Sequence, residues 1–301
     1  MSIIQKAAQR LEELNRAGID VPVRPGPDAG AAAAEMPVAA MLRAAPGIPA
    51  MPRQAPSEPS RRSAEVVLDL GRMEANGFLV SSDARSELAE EFRHIKQPLL
   101  RNVREAGRKP GTREGLIMVT SALPREGKTF CAINLALSMA MEVDTSVLLV
   151  DADVVRPSVL DRLGLPAARG LLDLLTEPSL EPADVLLKTN VPKLTLLPAG
   201  TRNARSTELL GSEAMEQLLV DLSNRYADRV IVFDAPPLLL TSEAKVLAAR
   251  VGQVVMVVEA GNTSRSAVTE AFAAVEQCPK VMTVLNRCAE PLNDRRYGYY
   301  Y

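Results

Sequence analysis

Histidine is nearly missing from this 301-residue chain: His94 is the only one, set in a charged helical stretch where it reads as a surface residue rather than a ligand. Cysteine is scarce as well. Cys131, Cys278 and Cys288 have neither the paired spacing of a zinc site nor that of a disulfide framework, so they read as reduced, mostly buried thiols. No apolar run approaches the ~18 residues that a membrane helix needs, and the N-terminus lacks the apolar stretch of a signal segment. A soluble chain is expected, unless a partner tethers it to a membrane. Charge of one sign is also lacking. With 35 Lys and Arg against 37 Asp and Glu, the net charge of −2 gives no basic surplus for a nucleic-acid partner.

Apolar residues are plentiful, at 47%, and a full core can be built. They are unevenly spread. Ile4, Ala7, Leu11 and Leu14 make a narrow helical seam across residues 2–17, suited to docking on a partner or else a frayed terminus. From Val21 to Ala64 the composition turns to Pro and Ala, and nine of the chain's 22 prolines fall there, the mark of a semi-extended linker. The expected organisation is therefore a helix over residues 1–20, a linker over 21–64, a folded domain over 65–294 and a tail over 295–301. Within the domain, Ser82–Asn102 reads as a helix with Leu88, Phe92, Ile95 and Leu99 on one face, which Pro98 should break or kink. Beyond it, apolar runs at Leu116–Val119, Ser146–Val150, Lys193–Pro198, Arg229–Phe233, Gln253–Val258 and Val281–Leu285 alternate with helical patterns at Thr207–Tyr226, Ser242–Arg250 and Ser264–Gln277. That alternation predicts an α/β fold with a doubly wound, mostly parallel sheet.

Ser121-Ala122-Leu123-Pro124-Arg125-Glu126-Gly127-Lys128-Thr129 lies between the first of these runs and a helical pattern from Phe130 to Met141. A strand, a Gly-Lys-Thr loop and a helix form the context in which backbone N–H groups and a helix N-terminus cradle a polyphosphate. Lys128 would reach the β- and γ-phosphates of ATP, and the Thr129 hydroxyl would bind Mg²⁺. Two later strands end in acids: Asp151 and Asp153, followed by Arg156, and then Asp234 before Ala235-Pro236-Pro237. In open parallel sheets the strand C-termini face the ligand crevice. Taken singly, each acid is equally a turn or helix-cap residue.

Partitioning ATPases of the deviant-Walker, MinD-like type carry a second lysine early in this loop, and Leu123 stands at that place. What remains resembles the bacterial tyrosine kinases: the Pro-x-Glu-Gly-Lys-Thr loop, the Asp-x-Asp-x-x-Arg strand end and the Asp-x-Pro-Pro strand end. The N-terminal Met-Ser-Ile-Ile-Gln-Lys-Ala helix, the linker and Glu-Phe-Arg-His-Ile-Lys are similar to the exosortase-associated autokinase subgroup, which accompanies exopolysaccharide genes. The resemblance implies a P-loop NTPase fold of the deviant-Walker type and an ATP- and Mg²⁺-dependent protein tyrosine autokinase. It implies catalysis by Lys128, Asp151, Asp153, Asp234 and Arg156, with Asp151 accepting the tyrosine proton, and metal binding by Thr129, Asp153 and Asp234. Nucleotide contacts fall to Ala122, Pro124, Arg125, Glu126, Gly127, Lys128, Thr129 and Phe130, with Asn286 near adenine. Glu90, Arg93 and Lys96 would belong to a ring-forming helix. Four of five tyrosines, Tyr297, Tyr299, Tyr300 and Tyr301, form a terminal cluster implied to be phosphorylated by a neighbouring subunit. A membrane chain-length-determinant partner at the inner membrane face and a tyrosine phosphatase are implied too; a partitioning-type ATPase switch or a nucleotide-binding scaffold are the alternatives. Arg125 departs from the family's usual glycine. Either it strains the loop, if φ is positive there, or its guanidinium contacts phosphates or a neighbour.

Overall fold

Aliphatic runs bounded by polar residues become the strands of a single sheet in the computed structural model, which describes residues 63–80, 86–107, 112–225 and 229–288. The strands are β1 (Ala64–Val66), β2 (Leu116–Ser121), β3 (Ser146–Asp151), β4 (Leu187–Thr189), β5 (Leu194–Leu197), β6 (Arg229–Asp234), β7 (Gln253–Glu259) and β8 (Lys280–Asn286). Helices α1 (Leu70–Ala75), α2 (Glu87–Ala106), α3 (Lys128–Ala140), α4 (Val159–Arg162) and α5 (Leu171–Thr176) come first. They are followed by α6 (Pro182–Val185), α7 (Ser206–Gly211), α8 (Glu213–Arg225), α9 (Ser242–Ala248) and α10 (Arg265–Ala273). The N-terminal seam, the Pro/Ala-rich stretch to residue 62 and the tyrosine cluster lie outside the described residues.

The eight strands lie in the order β1-β4-β5-β3-β6-β2-β7-β8. Every pairing is parallel except β4 with β5. Alternate residues of each strand feed two separate cores. Ile117 and Val119 face one, with α2 and α3; Leu116 and Met118 face the other, with α7, α8 and α9. Covering both faces explains why the central strands read as unbroken apolar runs. The chain leaves β2, skips a strand position to form β3, and returns as β6 between them. A crevice therefore opens at the strand C-termini.

Helix α3 begins at the loop glycine Gly127 and is buried nearly all round, with α2 packed over it. The α2 helix starts later than its apolar pattern suggests. Ser86 accepts the Ala89 N–H at 3.1 Å, and this cap fixes the start. Pro98 does not break it. The carbonyl deprived of a partner belongs to the exposed His94, where water can replace the bond. The pattern over Thr207–Tyr226 is two helices rather than one, parted at Ser212, whose hydroxyl donates to the Leu209 carbonyl at 2.7 Å.

Lys96 sits on the inner side of α2, 6% exposed. Its ammonium donates to the Ser138 carbonyl at 2.7 Å and pairs with Glu142 at 2.9 Å, neutralising the C-terminal end of α3. The Lys96 charge is thus used inside the subunit, whereas Glu90 and Arg93 pair with each other on the exposed face. Lys96→Met should lower stability by about 2–3 kcal/mol, because the helix-end carbonyl and Glu142 lose their cation. Thermal melting at matched pH would check this, and an unchanged midpoint would contradict it.

Candidate active site

The parallel register of β3 and β6 sets Asp151 directly beside Asp234, while Val119 of β2 flanks Asp234 on the other side. The loop after β2 is stitched to the loop after β6. The Thr120 hydroxyl donates to the Pro236 carbonyl at 2.7 Å, and the Leu238 N–H donates to the Ser121 carbonyl at 2.9 Å. Within the loop, Gly127 has φ 96° and Arg125 has φ 71°. Glycine adopts such a φ freely; arginine does so at a cost of about 1–2 kcal/mol.

Lys128 lies at the centre of the acids. Its ammonium is 2.7 Å from Asp153 Oδ2 and 3.8 Å from Asp234 Oδ1. Burial works against its charge, but Asp234, Asp153 and Asp151 together outweigh burial and hold its pKa above the usual lysine value. Asp234 is fully buried, and neither carboxylate oxygen accepts a hydrogen bond. Burial raises its pKa to about 6, against the pull of Lys128. Asp151 is raised further, to about 7, first by burial and then by its neighbour Asp234. Its Oδ2 accepts the Ser158 and Val159 N–H groups, both at 3.0 Å, so it caps α4; its Oδ1 is buried without a partner. Asp153 Oδ1 likewise accepts the Arg156 N–H at 3.0 Å. Both acids thus hold the turn after the strand, and Asp153 keeps its Oδ2 for Lys128.

A cleft of about 720 Å³ opens above Lys128. Pro124, Arg125, Gly127, Thr129, Phe130, Asp153 and Arg156 line it, as expected from the sequence, and Arg162 and Arg287 join them. Ala122 and Glu126 do not line it. Ala122 is fully buried; the Glu126 carboxylate accepts the Leu123 N–H at 2.7 Å and the Thr263 hydroxyl, closing the loop from within. Asn286 is also absent from the lining. Its Nδ2 donates to the Glu126 carbonyl at 2.8 Å and braces the loop from behind. Asp151 borders a neighbouring cavity of about 410 Å³, and Ser158 lines both spaces. Ser158, Arg162 and Arg287 carry no motif of their own. Only the place of Ser158, directly after Arg156-Pro157, offers a signal in the sequence.

The residues fit a magnesium–nucleotide pair. The oxygens of Asp234, which accept no hydrogen bond and meet Lys128 only at 3.8 Å, are hard donors for a cation or its bound water, and the Thr129 hydroxyl stands 3.4 Å from the Lys128 ammonium. Among the described residues no group of three His, Cys, Asp or Glu forms a metal cage of its own. Phosphate oxygens and water would complete the coordination of such a cation.

No family model matches the chain. It is 32% identical over 186 residues to the tyrosine-protein kinase YwqD of Bacillus subtilis, which covers 61% of this chain and 76% of that protein. The chain belongs to the bacterial tyrosine-protein kinases. The crystal structure of the VpsO kinase domain matches this kinase with a TM-score of 0.56 and 30% identity, over 69% of this chain and all of that one. The succinoglycan biosynthesis transport protein ExoP of Rhizobium meliloti is 33% identical over 207 residues, but the kinase spans only 25% of its length. The fold is accordingly the α/β P-loop type. No helix among the described residues is long and apolar enough to cross a membrane.

Proposed function

We propose that this kinase uses ATP and Mg²⁺ to phosphorylate Tyr297, Tyr299, Tyr300 and Tyr301 between neighbouring copies of itself. The observation that carries this reading is Asp151, with one buried, unpartnered oxygen and a pKa near 7, on the wall of the cavity that adjoins the nucleotide cleft through Ser158. A phenol with pKa ~10 needs a proton acceptor at neutral pH, and acceptors poised near the working pH serve best. Lys128 and the loop N–H groups hold the phosphates; Thr129, Asp153 and Asp234 hold the cation, which neutralises charge on the transferred group. Arg156 lines the same cleft and offers a further cation to the phosphates. The acceptor ring enters from the side of Asp151.

Glu90 and Arg93, exposed on α2, are offered as subunit contacts; buried Lys96 acts only by positioning that helix. The likeness to ExoP supports a place in exopolysaccharide assembly and export, with a membrane-bound chain-length-determinant partner that recruits the kinase to the inner face of the membrane and a phosphatase that resets the tail. Phosphates add about −1.5 to −2 charges per tyrosine, which weakens docking of the tail and loosens the assembly.

The test mixes two chains with γ-labelled ATP and Mg²⁺. One carries Lys128→Met with an intact tail; the other is unaltered but lacks residues 297–301. Label on tyrosine of the Lys128→Met chain is expected. Label on neither chain, with free phosphate released, would favour a plain ATPase.

A further inference from the structure

Among the described residues, three that are not glycine have φ in the left-handed region, and two of them line the same cleft: Arg125 in the loop (φ 71°) and Arg287 just past β8 (φ 57°). Backbone held in a sparsely populated region, at two arginines facing one cavity, marks a place where side-chain direction is worth more than local relaxation. Their charges are differently engaged. Arg287 pairs with Glu259 at 2.9 Å. Arg125 is exposed and makes no ion pair or hydrogen bond among the described residues, and Arg156 and Arg162 in the same lining form no ion pair there. Lys128, by contrast, is committed to Asp153 and Asp234. To meet a phosphate without a metal, Lys128 would have to leave two buried carboxylates uncompensated. The free guanidiniums carry no such obligation.

Resting on the nucleotide-cleft reading above, we propose that Arg125 is a phosphate-binding residue that lets this cleft hold a nucleoside di- or triphosphate without a divalent cation. A guanidinium presents a planar fork matched to phosphate oxygens, and its hydrogen bonds to them are charge-assisted. Arg125 reaches the phosphates from the loop itself, with Arg156 and Arg162 across the cleft, while Lys128 remains on its carboxylates. With Mg²⁺ present, Asp153 and Asp234 would have a second cation to compensate them, and Lys128 would be free to meet the phosphates. The strained arginine thus gives the cleft a second, metal-free binding mode.

The experiment measures ADP and pyrophosphate binding to the full chain by calorimetry, in EDTA and in Mg²⁺, beside Arg125→Gly, Arg125→Asn and Arg125→Lys. Asparagine tolerates a left-handed backbone without a charge; lysine keeps the charge without the fork. In EDTA, the Gly and Asn variants should bind ADP and pyrophosphate about tenfold or more weakly than the unaltered chain, the worth of one charge-assisted contact, with the Lys variant between. In Mg²⁺ the deficit should shrink to about threefold or less, since the metal supplies the missing charge. Gly and Asn should also melt at higher temperature, because the strain is relieved. Equal affinities of the unaltered and Gly chains in EDTA, with the melting gain alone, would overturn the proposal and leave Arg125 merely strained. An unaltered chain that binds neither ADP nor Mg²⁺–ATP would instead overturn the nucleotide reading itself.

Discussion

Asp151→Asn should abolish nearly all tyrosine phosphorylation while making the empty protein more stable at pH 8. The carboxyl's folded pKa of about 7 lies above its ordinary value of 3.8, so between those values the folded chain holds a proton that the unfolded chain has released. Stability therefore falls as pH rises through that window, the reverse of a salt-bridged aspartate. Above pH 7 the charge, buried and beside Asp234, costs up to about 4 kcal/mol, since each pH unit across the window is worth ~1.4 kcal/mol. Asparagine removes the charge but keeps an oxygen for the Ser158 and Val159 N–H groups, so we expect about half of this, ~2 kcal/mol or ~5 °C in melting midpoint. Phosphorylation should drop about 10²–10³-fold, the usual worth of a general base. Scans at pH 8 and pH 5.5 test the cause. The gain should shrink by about 2 kcal/mol between pH 8 and pH 5.5, because at pH 5.5 only the lower part of the window, from 3.8 upward, still counts against the unaltered Asp151. A lower midpoint at pH 8 would mean that the cap on α4 outweighs the burial of charge.

Gly127→Ala should cost about 2–4 kcal/mol of stability and at least ~100-fold in nucleotide affinity. A Cβ at this residue would stand 2.1 Å from Asn286 Nδ2, and φ 96° disfavours any side chain. The colliding amide is the one that donates to the Glu126 carbonyl, so it cannot swing away without releasing the loop. This makes the collision separable from the backbone strain. Asn286→Ala alone should cost about 1 kcal/mol, the loss of one hydrogen bond. The double variant should recover at least ~1 kcal/mol relative to the sum of the singles, the coupling expected of groups in contact. Strict additivity in denaturant melts would show that the loop yields at Gly127 instead.

The central sheet and its chemistry are legible in the sequence because each signal is local. Long Val, Leu and Ile runs ending in Asp151 and Asp234 stand out in one dimension, and so does Gly127-Lys128-Thr129 between a strand and a helix. The unread parts depend on partners distant in sequence. Strands β1 and β4 have three residues each, too few for a period; they exist because they pair with each other across 123 positions. Lys96 reads as one more charge on the helix surface until Ser138 and Glu142 fold over it. Resemblance alone puts Asn286 at adenine, but its brace on Glu126 spans 160 residues and no spacing announces it. The acids show the same split. Their place at strand ends can be read, whereas the capping of α4 by Asp151 depends on how Ser158 turns back.

The brace at the end of β8 also sets a distance. Asn286 fastens the last strand to the loop, and Arg287 belongs to the cleft wall, so the polypeptide that carries the tyrosines departs from the rim of its own nucleotide site. Tyr297 follows Arg287 by ten residues, which fully extended span at most ~36 Å. Under the proposed tail phosphorylation, the acceptor would be leashed to the machine that serves it. Only clefts inside that radius could then reach it, so the spacing between copies, rather than their number in solution, would govern how fast the leash is marked.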